Sequence, residues 1–296
     1  MEGEADVVDP RELLEVALEI AWEAAEHVRS RRVEVFGSVG ASVEANSSVE
    51  SKSTVTDPVT VVDTETEQLI RDRLAQLRPN DTVLGEEGGG ASEPVAGVRW
   101  VVDPIDGTVN FLYGVPAYSV SIAAQVDGVS VAGVVADVAA GACFHAVKGR
   151  GASLRDARGT EHPLRCNPVT SASMALLATG FGYAKERRRA QGRLIAEILP
   201  QVRDVRRIGS AALDLCMVAA GRVDAHYEHG LNPWDWAAGS LIAAEAGARV
   251  RVPAPDSNGA AGEVVVAAAP GIADEIDAIL DRAGALEPIP EGLTAG

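Results

Sequence analysis

The stretch Trp100–Phe111, WVVDPIDGTVNF, ends an apolar run with two acids, Asp103 and Asp106, around Pro104. Proline fixes φ near about −65°, and Gly107 permits a tight exit, so the two carboxylates are expected to converge while the Ile105 carbonyl turns outward. Three oxygen donors would then share one turn. Taken alone, D-P-x-D-G is equally well a solvated β-turn. Trp100-Val101-Val102 just before it speaks for burial, and buried like charges at close range repel unless a cation neutralises them. Oxygen donors without a neighbouring His or Cys suit Mg²⁺.

The tail of the motif, Gly107 to Asn110, can open a short helix whose free N–H groups would bind phosphate oxygens. Thr108 adds a hydroxyl that could orient a water or merely cap that helix. Two further acidic spots fit the same arrangement. Glu86 and Glu87 of LGEEGG stand at the end of a strand pattern, where they could also be solvated loop charges; Asp235 of NPWDWAAG precedes a helix, where it could be a plain N-cap.

These side chains need elements to position them. A chain of 296 residues, 47% hydrophobic, can build a substantial core. Its net charge of −17 disfavours a nucleic-acid or anionic-membrane binder. With lysine only at 52, 148 and 185, metal ions are a plausible source of local positive charge. Three cysteines without C-x-x-C spacing fit a reducing compartment and packing roles. The acidic N-terminus is unlike a secretion signal, and no apolar run approaches the ~20 residues of a membrane helix; a cytoplasmic location is expected.

A first helix is expected from Asp9 as N-cap, with Leu14, Leu18, Ala21, Ala25 and Val28 along one stripe. Residues 37–53, rich in Gly and Ser, read as a mobile loop. A second helix is predicted with a capping box of Thr64 and Glu67 and an apolar face of Leu69, Ile70, Leu74 and Leu77, placing Asp63 at its N-terminal edge. DTVLGEE and VRWVVD then read as neighbouring strands delivering acids to one edge, and YSVSIAAQVDGVSVAGVVADV as a hairpin turning at Asp127-Gly128. From Met174 onward strand and helix patterns alternate. The five histidines show no metal-ligand spacing, and Trp100, Trp234 and Trp236 read as core anchors.

In combination, GEE, then WVVDPIDGTVNF, then PWDWAAGSLIAAEAGA closely resemble the inositol monophosphatase family of Mg²⁺-dependent, lithium-sensitive phosphatases. The likeness runs from TDPVTVVDTETE through RRIGSAALDLCMVAAGRVDAHYEHG and looks most like bacterial, actinobacterial members. It implies an α/β (α+β) fold, a layered αβαβα sandwich in a single domain spanning 1–296, with an N-terminal lobe to about residue 165 and a C-terminal lobe from about 166. It further implies that Glu86, Asp103 and the Ile105 carbonyl bind a first metal, that Asp103, Asp106 and Asp235 bind a second, and that a third, weaker ion shares Glu86. Thr108, supported by Asp63, would position and deprotonate the attacking water, and the amides of Gly107 and Thr108 would hold the phosphate. Ser210, Ala211 and Glu228 match positions facing the inositol ring, and Asp106 and Asp235 adjoin the substrate. Lys52 would lie on a closing segment. Family members are usually homodimers.

The activity expected is therefore hydrolysis of inositol 1-phosphate to inositol and phosphate by direct attack of a metal-activated water. Related proteins act on fructose 1,6-bisphosphate, histidinol phosphate or adenosine 3',5'-bisphosphate with the same metal core. A reading of another class is association with the RNA or transcription machinery, as some bacterial relatives show.

Overall fold

The computed structural model describes residues 9–37, 49–51, 58–90 and 96–292. Asp9 caps α1 (Pro10–Phe36), its side chain accepting from the Arg11 amide at 2.9 Å. The buried stripe of α1 is Leu13, Ala17, Ile20, Ala24 and Val28, with Leu14 and Leu18 only partly covered at its flank. Of the expected loop at 37–53, residues 38–48 and 52–53 lie outside the described residues, Lys52 among them. Val49–Ser51 is a strand, β1, paired antiparallel with β2 (Pro58–Thr60).

α2 (Val61–Leu77) starts one turn before its expected cap. The capping box is Thr60 with Asp63, not Thr64 with Glu67. Thr60 sits in extended backbone and its hydroxyl accepts from the amides of Val62 and Asp63, at 3.2 and 3.4 Å. Aspartate at the third helical position returns the bond to the Thr60 amide at 3.0 Å. Of the expected apolar face, Ile70 and Leu74 are buried, whereas Leu77 is exposed.

A seven-stranded sheet follows, in the order β3 (Thr82–Gly85), β4 (Val98–Asp106), β5 (Ser119–Val126), β6 (Val129–Asp137), β7 (Ala142–Val147), β8 (Ala152–Arg155) and β9 (Glu161–Pro163). β3 and β4 are parallel, with Gly85 opposite Val102, and the other pairings are antiparallel. The two acid-tipped strands therefore do end side by side. The β5–β6 turn has Asp127 and Gly128 at φ 50° and 77°, as a two-residue hairpin requires. Between β4 and β5 lies the short helix α3 (Thr108–Tyr113).

The remaining chain supplies a five-stranded mixed sheet, β11-β10-β12-β14-β13. Its strands are β10 (Leu176–Thr179), β11 (Asp204–Arg206), β12 (Ala225–His229), β13 (Arg249–Arg251) and β14 (Val264–Ala268). Its helices are α4 (Lys185–Ile198), α5 (Ala211–Ala219), α6 (Pro233–Glu245) and α7 (Ala273–Ala283). β13, a three-residue edge strand, has no counterpart among the expected elements.

Apolar surface sorts these elements into layers. α1 and α2 cover one face of the large sheet, Ile20, Val28 and Ile70 meeting Trp100, Val102 and Ile122. α5 and α6 lie between the sheets, where Leu215, Trp236 and Ile242 join Val101 and Val135 to Ala178 and Val265. A helix enclosed by two sheets needs apolar residues all round, which WAAGSLIAA supplies. α4 and α7 close the far side, with Ile198, Ile276 and Leu280 against Leu177, Tyr227 and Val266. The result is an αβαβα sandwich. β4 is buried along its whole length, its side chains alternating between the first and second apolar layers, as an inner strand requires.

Candidate active site

Asp103 builds its own turn. The Ile105 amide donates to Asp103 Oδ1 at 3.0 Å, and β4 breaks register against β5 between Asp103 and Asp106. Gly107 then exits at φ 99°, and a Cβ there would stand 3.0 Å from the carbonyls of Ala117 and Gly209, so both conformation and space call for glycine. The turn is buried, not solvated: Asp103 is 1% exposed and Asp106 9%.

The N-terminus of α5 grips Asp106 from the other side. Ser210 Oγ donates to Asp106 Oδ2 at 2.6 Å, and the Ala212 and Ala211 amides donate to its two oxygens at 2.7 and 3.3 Å. Asn110 ties the same loops together, donating to the carbonyls of Ala117 and Ile208 at 2.7 and 2.9 Å. Asp235 enters from the first turn of α6, its side chain accepting from the Asn232 amide at 2.7 Å. Asp103, Asp106 and Asp235 thereby bring carboxylate oxygens within 4.8 Å of one another.

Glu86 joins them through α2. Glu67, expected as a helix cap, instead accepts from the amides of Glu87 and Gly88, each at 2.7 Å, and is anchored by Arg71 at 2.8 Å. It thus clamps the turn after β3 that carries Glu86. One turn earlier on α2, Asp63 is wholly buried, bonded to the Thr60 hydroxyl through Oδ2 and standing 3.1 Å from Thr108 Oγ1 through Oδ1. Thr108 Oγ1 is also 3.1 Å from the Ile105 carbonyl. It makes no helix cap; Gly107 holds that position.

Glu86, Asp103, Ile105, Asp106, Gly107, Thr108, Ser210, Ala211, Glu228 and Asp235 all line one cleft of about 540 Å³, with Asp63 behind Thr108. Trp234, read as a core anchor, is half-buried on the cleft wall; Trp100 and Trp236 are core residues. Arg187 and Arg207 also border the cleft. Arg187 is committed to the carbonyls of Ile289, Gly259 and Ala260. Sequence spacing alone did not single out Thr60, Glu67 as a clamp, Asn110 or Arg207; the T-V-V-D spacing of Thr60 and Asp63 was the one available signal.

The acids repel one another. Burial, then the charges of Glu86, Asp106 and Asp235, hold Asp103 well above the usual carboxylate range. Asp235 is raised by burial and by Asp106 and Glu86. Burial lifts Asp106 to about 6 against the opposing bonds from Ser210, Ala212 and Ala211. Among the described residues no Lys or Arg forms an ion pair with Asp103, Asp106 or Asp235. Buried hard oxygen donors without a basic partner fit divalent cations such as Mg²⁺.

The inositol monophosphatase family matches residues 9–283. Inositol-1-monophosphatase SuhB of Mycobacterium tuberculosis is 61% identical over 287 residues, covering 96% of this chain and 98% of the relative. Nus factor SuhB of Pasteurella multocida is 41% identical over 220 residues, covering 73% of this chain and 79% of the relative. A solved structure of Mycobacterium tuberculosis SuhB superimposes with a TM-score of 0.79 at 57% identity, covering 94% of this chain and 99% of that one. Family match, fold and the convergence of the acids agree, and the chain belongs to the inositol monophosphatase family of phosphatases.

Proposed function

We propose that the protein hydrolyses inositol 1-phosphate, with two to three Mg²⁺ ions held by Glu86, Asp103, the Ile105 carbonyl, Asp106 and Asp235. The observation that carries this reading is the Asp63–Thr108 pair standing beside three converging carboxylates in one cleft. When bound, the ions would acidify a water and offset charge on the phosphoryl and leaving oxygens. Thr108 donates its hydroxyl proton to Asp63, which leaves an oxygen lone pair to orient a water and take up its proton. Thr60 bonds the other Asp63 oxygen through its amide and hydroxyl and so fixes the orientation of the carboxylate. The Gly107 and Thr108 amides hold the phosphate, and Glu228 and the α5 N-terminus around Ser210 and Ala211 face the alcohol.

Phosphate release from inositol 1-phosphate, fructose 1,6-bisphosphate, histidinol phosphate and adenosine 3',5'-bisphosphate, with and without Mg²⁺, tests the reading. Mg²⁺-dependent preference for the first supports it, and preference for another ester reassigns the substrate. Lithium, a small hard cation suited to the same donors, is expected to slow turnover; a rate unchanged at millimolar lithium contradicts the ion assignment. A homodimer is the assembly proposed, checked by light scattering. A second reading, association with the transcription machinery, rests on the relatives named Nus factor. Co-purification at physiological salt tests it. No described helix is long and apolar enough to cross a membrane.

A further inference from the structure

Behind the cleft wall, α5 and β12 bring three titratable side chains into a line. His226 Nδ1 stands 3.9 Å from Asp214 Oδ2, and His226 Nε2 stands 4.0 Å from Glu228 Oε2. His226 and Glu228 are two residues apart on β12 and so share a face. His226 is wholly buried and Asp214 nearly so, while Glu228 opens onto the cleft. Neither ring nitrogen of His226, nor Asp214 Oδ1, has a hydrogen-bond partner among the described residues. Buried polar atoms are rarely left so.

Direct contact fills the gaps more completely than a water or an ion. A water bridging at the tetrahedral angle spans about 4.5 Å, two bonds of about 2.8 Å, somewhat more than either gap. One atom from each of the three side chains lies within 4.8 Å of the others, as an ion would need, but an ion would take one ring nitrogen and leave the other without a partner. Direct closure by about 1 Å brings both pairs to hydrogen-bond length. Space on the cleft side is already shaped for the end of the line, since a Cβ at Gly180 would collide with both Glu228 oxygens. Burial opposes ionisation of Glu228; of the other charges facing it, Arg207 favours the ionised form, and Asp106 and Asp235 oppose it.

We infer that Asp214 and His226 are positioning residues that close onto Glu228 and set which of its oxygens meets a hydroxyl of a polyhydroxylated ring substrate. The inference rests on Glu228 being the residue that reads that ring. Asp214 accepts from Nδ1–H and so fixes the tautomer of the neutral ring, which leaves Nε2 to accept from a protonated Glu228. One Glu228 oxygen is then held and the other faces the cleft. A His226 that merely filled space would have no such effect on substrate choice.

The test uses the full Mg²⁺-loaded chain, with kcat and KM measured for inositol 1-phosphate and for glycerol 2-phosphate, which lacks the ring. His226→Phe and Asp214→Asn should each raise KM for inositol 1-phosphate up to about tenfold, the size of one lost hydrogen bond. KM for glycerol 2-phosphate should change far less. Glu228→Ala should show the same selective loss, and adding His226→Phe to it should cost nothing more. Equal losses on both substrates in His226→Phe and Asp214→Asn, with Glu228→Ala still ring-selective, overturn the positioning role alone. Equal losses in Glu228→Ala overturn the reading of Glu228 and the inference with it. If His226→Phe does not fold, the nearly isosteric Asp214→Asn decides.

Discussion

Asp103 does two things with one carboxylate: Oδ1 closes the turn by accepting from Ile105, and the group adds to a cluster whose charges oppose one another. Asp103→Asn keeps the shape and the acceptor but removes a charge. It is expected to abolish phosphate release at saturating Mg²⁺ while the metal-free protein melts no lower than the parent; near-normal turnover would remove Asp103 from the ion site. Thr108 is the complementary case. Thr108→Val preserves β-branching but deletes the hydroxyl beside Asp63, and positioned proton transfer is worth about 10²–10⁴ in rate. A loss of about hundredfold or more in kcat, with Mg²⁺ affinity kept, is expected. A fall in Mg²⁺ affinity with kcat intact would make Thr108 a prop for the Ile105 carbonyl instead.

At the scale of elements, α2 carries more of the site than its amphipathic pattern suggests. Its first turn presents Asp63, and its second presents Glu67, which holds the turn bearing Glu86. Glu67→Ala leaves two amides and Arg71 without their shared acceptor, which costs about 3 kcal/mol at the scale of charge-assisted hydrogen bonds. The expected outcome is a lower melting temperature together with a higher Mg²⁺ concentration for half-maximal activity. Loss of stability with an unchanged Mg²⁺ requirement would separate the clamp from the ion site. The capping box was legible as S/T-x-x-acid but was assigned one helical turn too late, because TETEQ offers Thr64 and Glu67 in the same spacing. Backbone and partners decided between them: Thr60 is the extended residue at the end of β2, whereas Thr64 lies inside the helix and Glu67 is taken by the amides of Glu87 and Gly88.

Across the whole molecule, three layers converge on one cleft, and their acids make folding sensitive to pH. Asp106 holds its proton up to about 6 in the folded chain, against an ordinary 3.8, with Asp103 and Asp235 shifted the same way. Between those values the folded state binds more protons than the unfolded one, so stability falls as pH rises through that window. The overall charge of −17 acts in the same direction. Divalent cations bound by these acids would reverse the trend. At about a hundredfold excess over Kd, binding adds about 2.7 kcal/mol, or about 4 °C for a chain of this size. Buried His226 and His229, lowered to about 3 and about 4, push the metal-free trend the other way below about 6.5, so the discriminating quantity in melting scans is the Mg²⁺ increment, which should be larger near about pH 7 than near about pH 5. An increment independent of pH, with Na⁺ at matched ionic strength as control, would argue against these carboxylates as the ion site.

The sequence by itself determined the local chemistry. A proline between two acids after the apolar run Trp100-Val101-Val102 pointed to a buried carboxylate turn, an Asp-Gly pair to the hairpin, and the alternating patterns after Met174 to strands and helices in turn, because each signal acts over a few residues. Tertiary structure alone decided what those groups meet. Asp106 is held by the N-terminus of a helix more than a hundred residues away, Asp63 finds Thr108 across 45 positions, and Asp214, His226 and Glu228 align only because β12 lies against α5. No periodicity encodes such meetings. They depend on which faces the sheets bury, and that is settled when all the layers pack at once.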